Sequence, residues 1–143
     1  MLKAYFASPF FNPEQVEREE ALKKILRDKG IQVFSPKEEF HLAPDATKEE
    51  QEKTFKGNLK GMYDADFVFA ITDGKDMGTI WEAGFAYGLD IPVYYFAETL
   101  GNGQFNLMLA RSGKGVFTNR QSVIDFDFET LIDINMEWEG EIE

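Results

Sequence analysis

The chain has 143 residues, 43% hydrophobic and 15% aromatic, enough for one domain over residues 1–143 with a sizeable core. A formal net charge of -11 with no offsetting basic patch argues against a nucleic acid polymer or an anionic membrane as partner. The absence of cysteine excludes disulfides, thiolate catalysis and Cys-ligated metals, and the lone His41, in a polar stretch, reads as a surface residue. No metal and no cofactor is expected. No apolar run reaches the roughly 18 to 20 residues that span a bilayer, and the N-terminus lacks a basic-then-apolar signal, so a cytoplasmic protein is expected.

In chain order, residues 2–7 read as a first strand, and Asn12-Pro13-Glu14 supplies a cap, an N1 proline and an early acid for a helix to about Lys29, stopped by Gly30. Residues 31–34 are a short second strand and residues 35–46 a polar loop. Thr47 with Glu50 forms a capping box for a helix reaching about Tyr63. Residues 65–71 are apolar, aromatic and β-branched, as a strand buried on both faces should be. A polar turn over 72–76 leads into a small-residue helix ending at Gly88. Residues 91–96 form a fourth strand, 105–110 a short apolar segment and 115–118 a fifth strand; from Asp125 a final helix and an acidic tail are expected. Strands separated by helices imply right-handed crossovers and a five-stranded parallel sheet covered on both faces, hence a single doubly wound, Rossmann-like α/β domain.

The segment Asp76-Met77-Gly78-Thr79-Ile80-Trp81-Glu82-Ala83-Gly84 places a carboxylate in an otherwise apolar helix start after a strand. In such a sheet, ligands bind where strand ends hand over to helix N-termini, so Glu82 is expected near that crevice, one turn or less into the helix. There the helix dipole favours its ionised form, suited to a nucleophile or base; an ordinary solvated first-turn glutamate fits the segment equally well. The first strand ends in Ser8-Pro9-Phe10-Phe11 at the same edge, without the glycines and Lys-Ser/Thr pair of a phosphate loop. Phe10 and Phe11 offer an apolar wall for a flat ring or a sugar face, although Phe10 reads better as core. Tyr5 either reaches Glu82, if their strands are neighbours, or is one more core aromatic. Trp81 reads as facing the sheet.

Taken together, Tyr5, Ser8-Pro9-Phe10-Phe11, Asn58-Leu59, Asp76-x-Gly78-Thr79-x-x-Glu82-x-Gly84 and Phe105-Asn106-Leu107-Met108 resemble the nucleoside 2-deoxyribosyltransferase family in order and spacing along nearly the whole chain. The resemblance implies a flavodoxin-like fold and base exchange on a 2'-deoxynucleoside through a covalent deoxyribosyl-enzyme intermediate, as part of nucleoside salvage. Glu82 then matches the nucleophile and Tyr5 the tyrosine that orients it. Asp76 matches the carboxylate that holds a sugar hydroxyl, and Asn106 an asparagine that a neighbouring subunit supplies. Asn58, Phe11, Ser8 and Gly78 complete the expected substrate-binding set. The partners implied are a 2'-deoxynucleoside, a free nucleobase and further copies of the chain, in a dimer-based homo-oligomer such as a hexamer with shared active sites.

Two departures from the family pattern stand out. Many members carry Asn-Asp-Leu in the second helix, with an Asp that contacts the base, where this chain has Gly57-Asn58-Leu59. Asn58 can hydrogen-bond a base through its donor and its acceptor but cannot serve as a general acid. The loop after the second strand, Pro36-Lys37-Glu38-Glu39-Phe40, lacks the glutamine that often reads the base. The alternatives to a transferase are an N-glycosidase that hydrolyses 2'-deoxynucleosides or their monophosphates, and a non-catalytic nucleoside-binding module on the same fold.

Overall fold

The computed structural model describes residues 1–101, 103–132, 135–136 and 138–143. Five strands, β1 (Lys3–Ala7), β2 (Gln32–Phe34), β3 (Phe67–Ile71), β4 (Val93–Phe96) and β5 (Gly115–Phe117), form one all-parallel sheet in the order β2-β1-β3-β4-β5. The helices are α1 (Pro13–Asp28), α2 (Pro36–Glu39), α3 (Lys48–Tyr63), α4 (Met77–Gly88), α5 (Leu107–Ser112), α6 (Arg120–Asp125) and α7 (Phe128–Leu131). The doubly wound α/β reading of the sequence is therefore what the chain adopts. Among the described residues no helix is long and apolar enough to cross a membrane.

Alternation along each strand divides the core into two chemically different faces. Ala4 and Phe6 of β1, Phe67, Phe69 and Ile71 of β3, Tyr94 and Phe96 of β4 and Phe117 of β5 point to one side, under Leu22 and Leu26 of α1 and Phe128 of α7. This face is packed with rings: Phe67 stacks on Phe128 at 4.9 Å and Phe126 meets Phe128 edge-on at 4.8 Å. The other face carries Tyr5, Ala7, Val68, Ala70, Val93 and Tyr95 beneath Met62 of α3 and Ala83 and Ala86 of α4. Alanine on strand and helix alike lets α4 lie low across β1, β3 and β4.

The caps agree with the sequence. Asn12 accepts from the Gln15 N–H, Thr47 from the Glu50 N–H, and Gly30, at φ 81, ends the turn after α1. Two expectations are corrected. The polar loop 35–46 contains α2, one helical turn begun by Pro36 and tied to α1, because Lys23 and Arg27 both donate to Glu38. The final helix expected from Asp125 is replaced by α6, which ends there, and by the single turn α7. The acidic end instead runs beside Phe105: a parallel bridge joins Phe105 to Ile142, with Phe105 N–H donating to the Glu141 carbonyl and Glu143 N–H to the Phe105 carbonyl. The rest of the expected tail falls partly on residues 133, 134 and 137, outside the described residues.

Candidate active site

Adjacent strands β1 and β3 and the low-lying α4 determine the central contact. Tyr5 is fully buried on the alanine-lined face, and its hydroxyl donates to Oε2 of Glu82. The conditional expectation that Tyr5 reaches Glu82 is thus met, and its ring also stacks on Phe34 at 5.4 Å. Glu82 lies in the second turn of α4, six residues after the cap Asp76, deeper than the single turn expected. That depth reverses the electrostatic expectation. Burial pushes the Glu82 carboxyl up from 4.5 to about 7; the Tyr5 hydrogen bond works in the opposite direction and the nearby Asp76 charge adds to the rise. Desolvation outweighs the dipole because the dipole's effect fades beyond the first turn. The Tyr5 hydroxyl is held well above its ordinary range by burial and by the adjacent carboxylate.

Asp76 starts α4. Its Oδ2 accepts from the backbone N–H and from the hydroxyl of Thr79, both at 2.9 Å. Thr79, itself buried, was not among the expected site residues, although an acid three residues before a threonine is a recognisable cap pattern. The turn before it passes through Gly74 at φ 89 and Lys75 at φ 50, two consecutive left-handed residues. A Cβ at Gly78 would meet Asp76 Oδ2 at 3.4 Å, an ordinary van der Waals contact, so this glycine lies directly beside the carboxylate.

Because the strands are parallel, the end of β1 emerges at the same edge. Ser8 donates to the Pro9 carbonyl, and Phe11 N–H donates to the Gln15 side chain. Phe11 is 73% exposed and stacks on Phe10 at 5.2 Å. Phe10 is itself exposed, so its reading as a core residue is corrected: the chain leaves the sheet at Pro9 before either ring can turn inward. Trp81 is likewise corrected. Thr79, Ala83 and Ala86 take the sheet-facing side of α4, which leaves Trp81 on the outside, 51% exposed, stacked on Phe85 at 5.3 Å and beside Phe55 of α3.

Asn58 sits on α3 one turn before the buried Met62, toward the mouth of the sheet. Its neighbours Gly57 and Gly61 touch the rings of Phe40 and Phe34; a Cβ on Gly57 would lie 2.2 Å from Phe40 Cζ. Asn58 Oδ1 is buried with no hydrogen-bond partner among the described residues, an acceptor whose burial costs stability unless something donates to it.

Asn106 is not brought to the Tyr5–Glu82 contact within one chain. It caps α5, its Oδ1 accepting from the N–H groups of Met108 and Leu109. With Thr72, Lys75, Ile80, Thr99 and Glu143 it lines a cleft of about 500 Å³ whose walls do not include Tyr5, Asp76 or Glu82. The C-terminal Glu143 had no assigned role in the sequence; only its pairing with Phe105, 38 residues away, reveals its place there. His41 is exposed, as expected. Among the described residues no group of three or more His, Cys, Asp or Glu side chains is arranged to hold a metal ion.

Comparison with known proteins matches these features to one family. The model of the nucleoside 2-deoxyribosyltransferases aligns with residues 4–123. A 2-deoxyribosyltransferase from the psychrotolerant bacterium Bacillus psychrosaccharolyticus, described as a biocatalyst for nucleoside synthesis, superimposes with a TM-score of 0.85 at 35% identity, over 95% of this chain and 98% of that one. A conserved protein from Enterococcus faecalis V583 shares the fold, with a TM-score of 0.61 at 20% identity over 93% and 96% of the two chains. No curated protein sequence matched. Matched across most of its length by sequence pattern and across nearly all of it by structure, the chain belongs to the nucleoside 2-deoxyribosyltransferase family and is a transferase enzyme acting on nucleosides and nucleobases.

Proposed function

We propose that this enzyme exchanges the base of 2'-deoxynucleosides through a deoxyribosyl ester of Glu82, in cytoplasmic nucleoside salvage. The observation that carries the reading is the Tyr5–Glu82 contact at the carboxyl edge of the sheet. As the glycosidic bond breaks, its electron pair leaves with the base and positive charge builds on the anomeric carbon. The Glu82 carboxylate stabilises that charge and then bonds to the carbon, as in retaining glycosidases. Tyr5 fixes the carboxylate by donating to one oxygen and leaves the other for attack. A carboxyl near 7 is a more basic, stronger nucleophile than a solvated one and is still about half ionised at neutral pH. The acceptor base then attacks the same carbon, the ester breaks, Glu82 is regenerated, and the base gives up its N–H proton.

The other residues divide the substrate. Asp76, steadied by Thr79, holds a sugar hydroxyl, with Gly78 and Ser8 leaving room at the rim. Phe11 and Phe10 cover a flat face of the substrate, and the orphan Asn58 Oδ1 accepts from a donor on the base. Asn106 serves the site of a neighbouring subunit, a reading supported by its place in a cleft whose walls do not include Glu82. An exposed apolar surface is available for such an assembly: Phe55, Tyr63, Trp81 and Tyr87 on the outer sides of α3 and α4 are each between 46% and 60% exposed.

The test is incubation with 2'-deoxyinosine, with and without adenine or cytosine, followed by chromatography. A new deoxynucleoside that depends on the acceptor base supports the proposal. Free hypoxanthine released equally without acceptor would replace it with hydrolysis, and inertness across a nucleoside panel would overturn it.

A further inference from the structure

Tyr5 owes its position to more than its hydrogen bond to Glu82. In the parallel pairing of the sheet it stands opposite Val68 of β3 on one side and Phe34 of β2 on the other. Its ring lies nearly flat against that of Phe34, with centroids 5.4 Å apart and planes 17° apart. β2 is the edge strand, so the support behind Phe34 comes from a helix rather than from a further strand. At Gly61 of α3 a Cβ would lie 2.7 to 2.8 Å from three atoms of the Phe34 ring, closer than side chains approach, so the ring rests on bare helix backbone. One turn earlier Phe40 uses Gly57 in the same way, and the Phe34 and Phe40 rings meet at 6.4 Å. Three rings thus run from the residue that holds Glu82 to two glycines on one helix.

Glycine inside a helix is unfavourable, because fixing it gives up more backbone freedom than fixing alanine does. α3 carries two of them at the spacing that puts both on one face, and each lies against a ring. What this arrangement supplies is the placement of an aromatic column that ends at Tyr5. Spinning a tyrosine about its ring axis leaves the hydroxyl where it is, but tilting the axis swings the oxygen, the atom farthest from the backbone. The alanines of this face are too small to resist such a tilt, whereas a parallel ring packed alongside resists it along its whole length.

We propose that Phe34, backed by Gly61, is a positioning residue: it holds the Tyr5 ring so that the hydroxyl stays on Oε2 of Glu82 and the other carboxylate oxygen is presented to the anomeric carbon. This inference rests on the function proposed above. Phe34 touches no reacting atom in this scheme, and its whole effect passes through Tyr5. Loss of the ring therefore costs the orientation of the nucleophile and loosens the hydrogen bond that offsets part of the burial of Glu82.

The experiment follows exchange between 2'-deoxyinosine and adenine for the full chain, over a pH series, in a cycle of Phe34→Leu, Tyr5→Phe and the double variant. Phe34→Leu should lower kcat by roughly 5- to 20-fold, keep KM for 2'-deoxyinosine within about twofold, and move the acid limb of kcat/KM to higher pH, the direction expected of Tyr5→Phe. In the Tyr5→Phe background the same change should cost less than about twofold, because the hydroxyl that Phe34 aims is gone. An unmoved kcat and acid limb in folded Phe34→Leu overturns the proposal. So does a loss of equal size in both backgrounds, which would leave Phe34 a packing role only. If Phe34→Leu does not fold, Gly61→Ala decides by the same comparisons, since it favours the helix, keeps Phe34 and displaces its ring. Absence of exchange in the wild type would overturn the proposed function itself, whereas exchange that Phe34→Leu leaves untouched overturns only the role of Phe34.

Discussion

Replacing Glu82 by Gln should abolish transfer and at the same time make the protein more stable above pH 7. In the folded chain Glu82 holds its proton up to about 7, against 4.5 for the ordinary group. Between those values the folded state binds more protons than the unfolded one, so this residue's contribution to stability falls as pH rises from about 4.5 through 7 and then levels off. The displacement from 4.5 to about 7, at about 1.4 kcal/mol per tenfold, amounts to about 3 kcal/mol. Glutamine keeps the shape and can accept from Tyr5 but carries no charge to desolvate. The assay is guanidinium unfolding of both proteins at a series of pH values from 4.5 to 8.5. Subtracting one curve from the other cancels groups common to both, such as Glu38, which its Arg27 hydrogen bond and Lys23 hold at about 2. The difference should be near zero at the acid end and reach about 3 kcal/mol by pH 8, or roughly 6 to 12 °C in melting temperature for a chain of this size. A difference that is flat with pH would refute the claim that desolvation of Glu82 is built into the site.

Three further outcomes are expected. Tyr5→Phe removes the hydrogen bond that favours ionised Glu82, so the acid limb of kcat/KM should move to higher pH and the rate at pH 7 should fall by about 10- to 100-fold; a pH–rate series checks both. If Asn58 contacts the base as proposed, Asn58→Asp puts an ionisable group there, so transfer should quicken at acid pH and acquire a new descending limb as that acid deprotonates, visible in the same series. Asn106→Ala and Glu82→Ala should each be nearly inactive alone, while subunit exchange between the two should return measurable transfer; no recovery after verified exchange would show that Asn106 does not act across an interface.

The parts of the fold that were legible in the sequence are those whose cause is local. β3 and β4 are continuous apolar runs because both of their faces are covered, and Asn12, Thr47 and Asp76 cap helices within three residues of themselves. α2 escaped notice because one helical turn has little stability of its own and is held by Lys23 and Arg27, 15 and 11 residues before Glu38. The same reason hid the two hydrogen bonds that Thr99 donates to Asp73, 26 residues before it, and the Phe105–Ile142 bridge. At the site, Tyr5 and Glu82 were identifiable as partners once their strands were taken as neighbours, but the direction of the Glu82 shift was not. A sequence shows the distance of a residue from its helix end, whereas desolvation depends on what lies above it, here the strand residues beneath a low helix. Trp81 was misassigned for a related cause: the alanines beside it claim the buried side of α4.

The contrast between the two faces of the sheet bears on how this enzyme would respond to engineering. Rings interlock on the α1 side, where a change in size is resisted by many neighbours, whereas alanines on the α4 side govern the height of a helix above a tyrosine. Robustness and precision are thus assigned to opposite sides of one sheet. Thermostabilising substitutions can be sought under α1 and α7 without retuning Glu82, whereas a single added methyl at Ala70 or Ala83 acts like a shim under a lever, altering acidity and turnover before it alters melting.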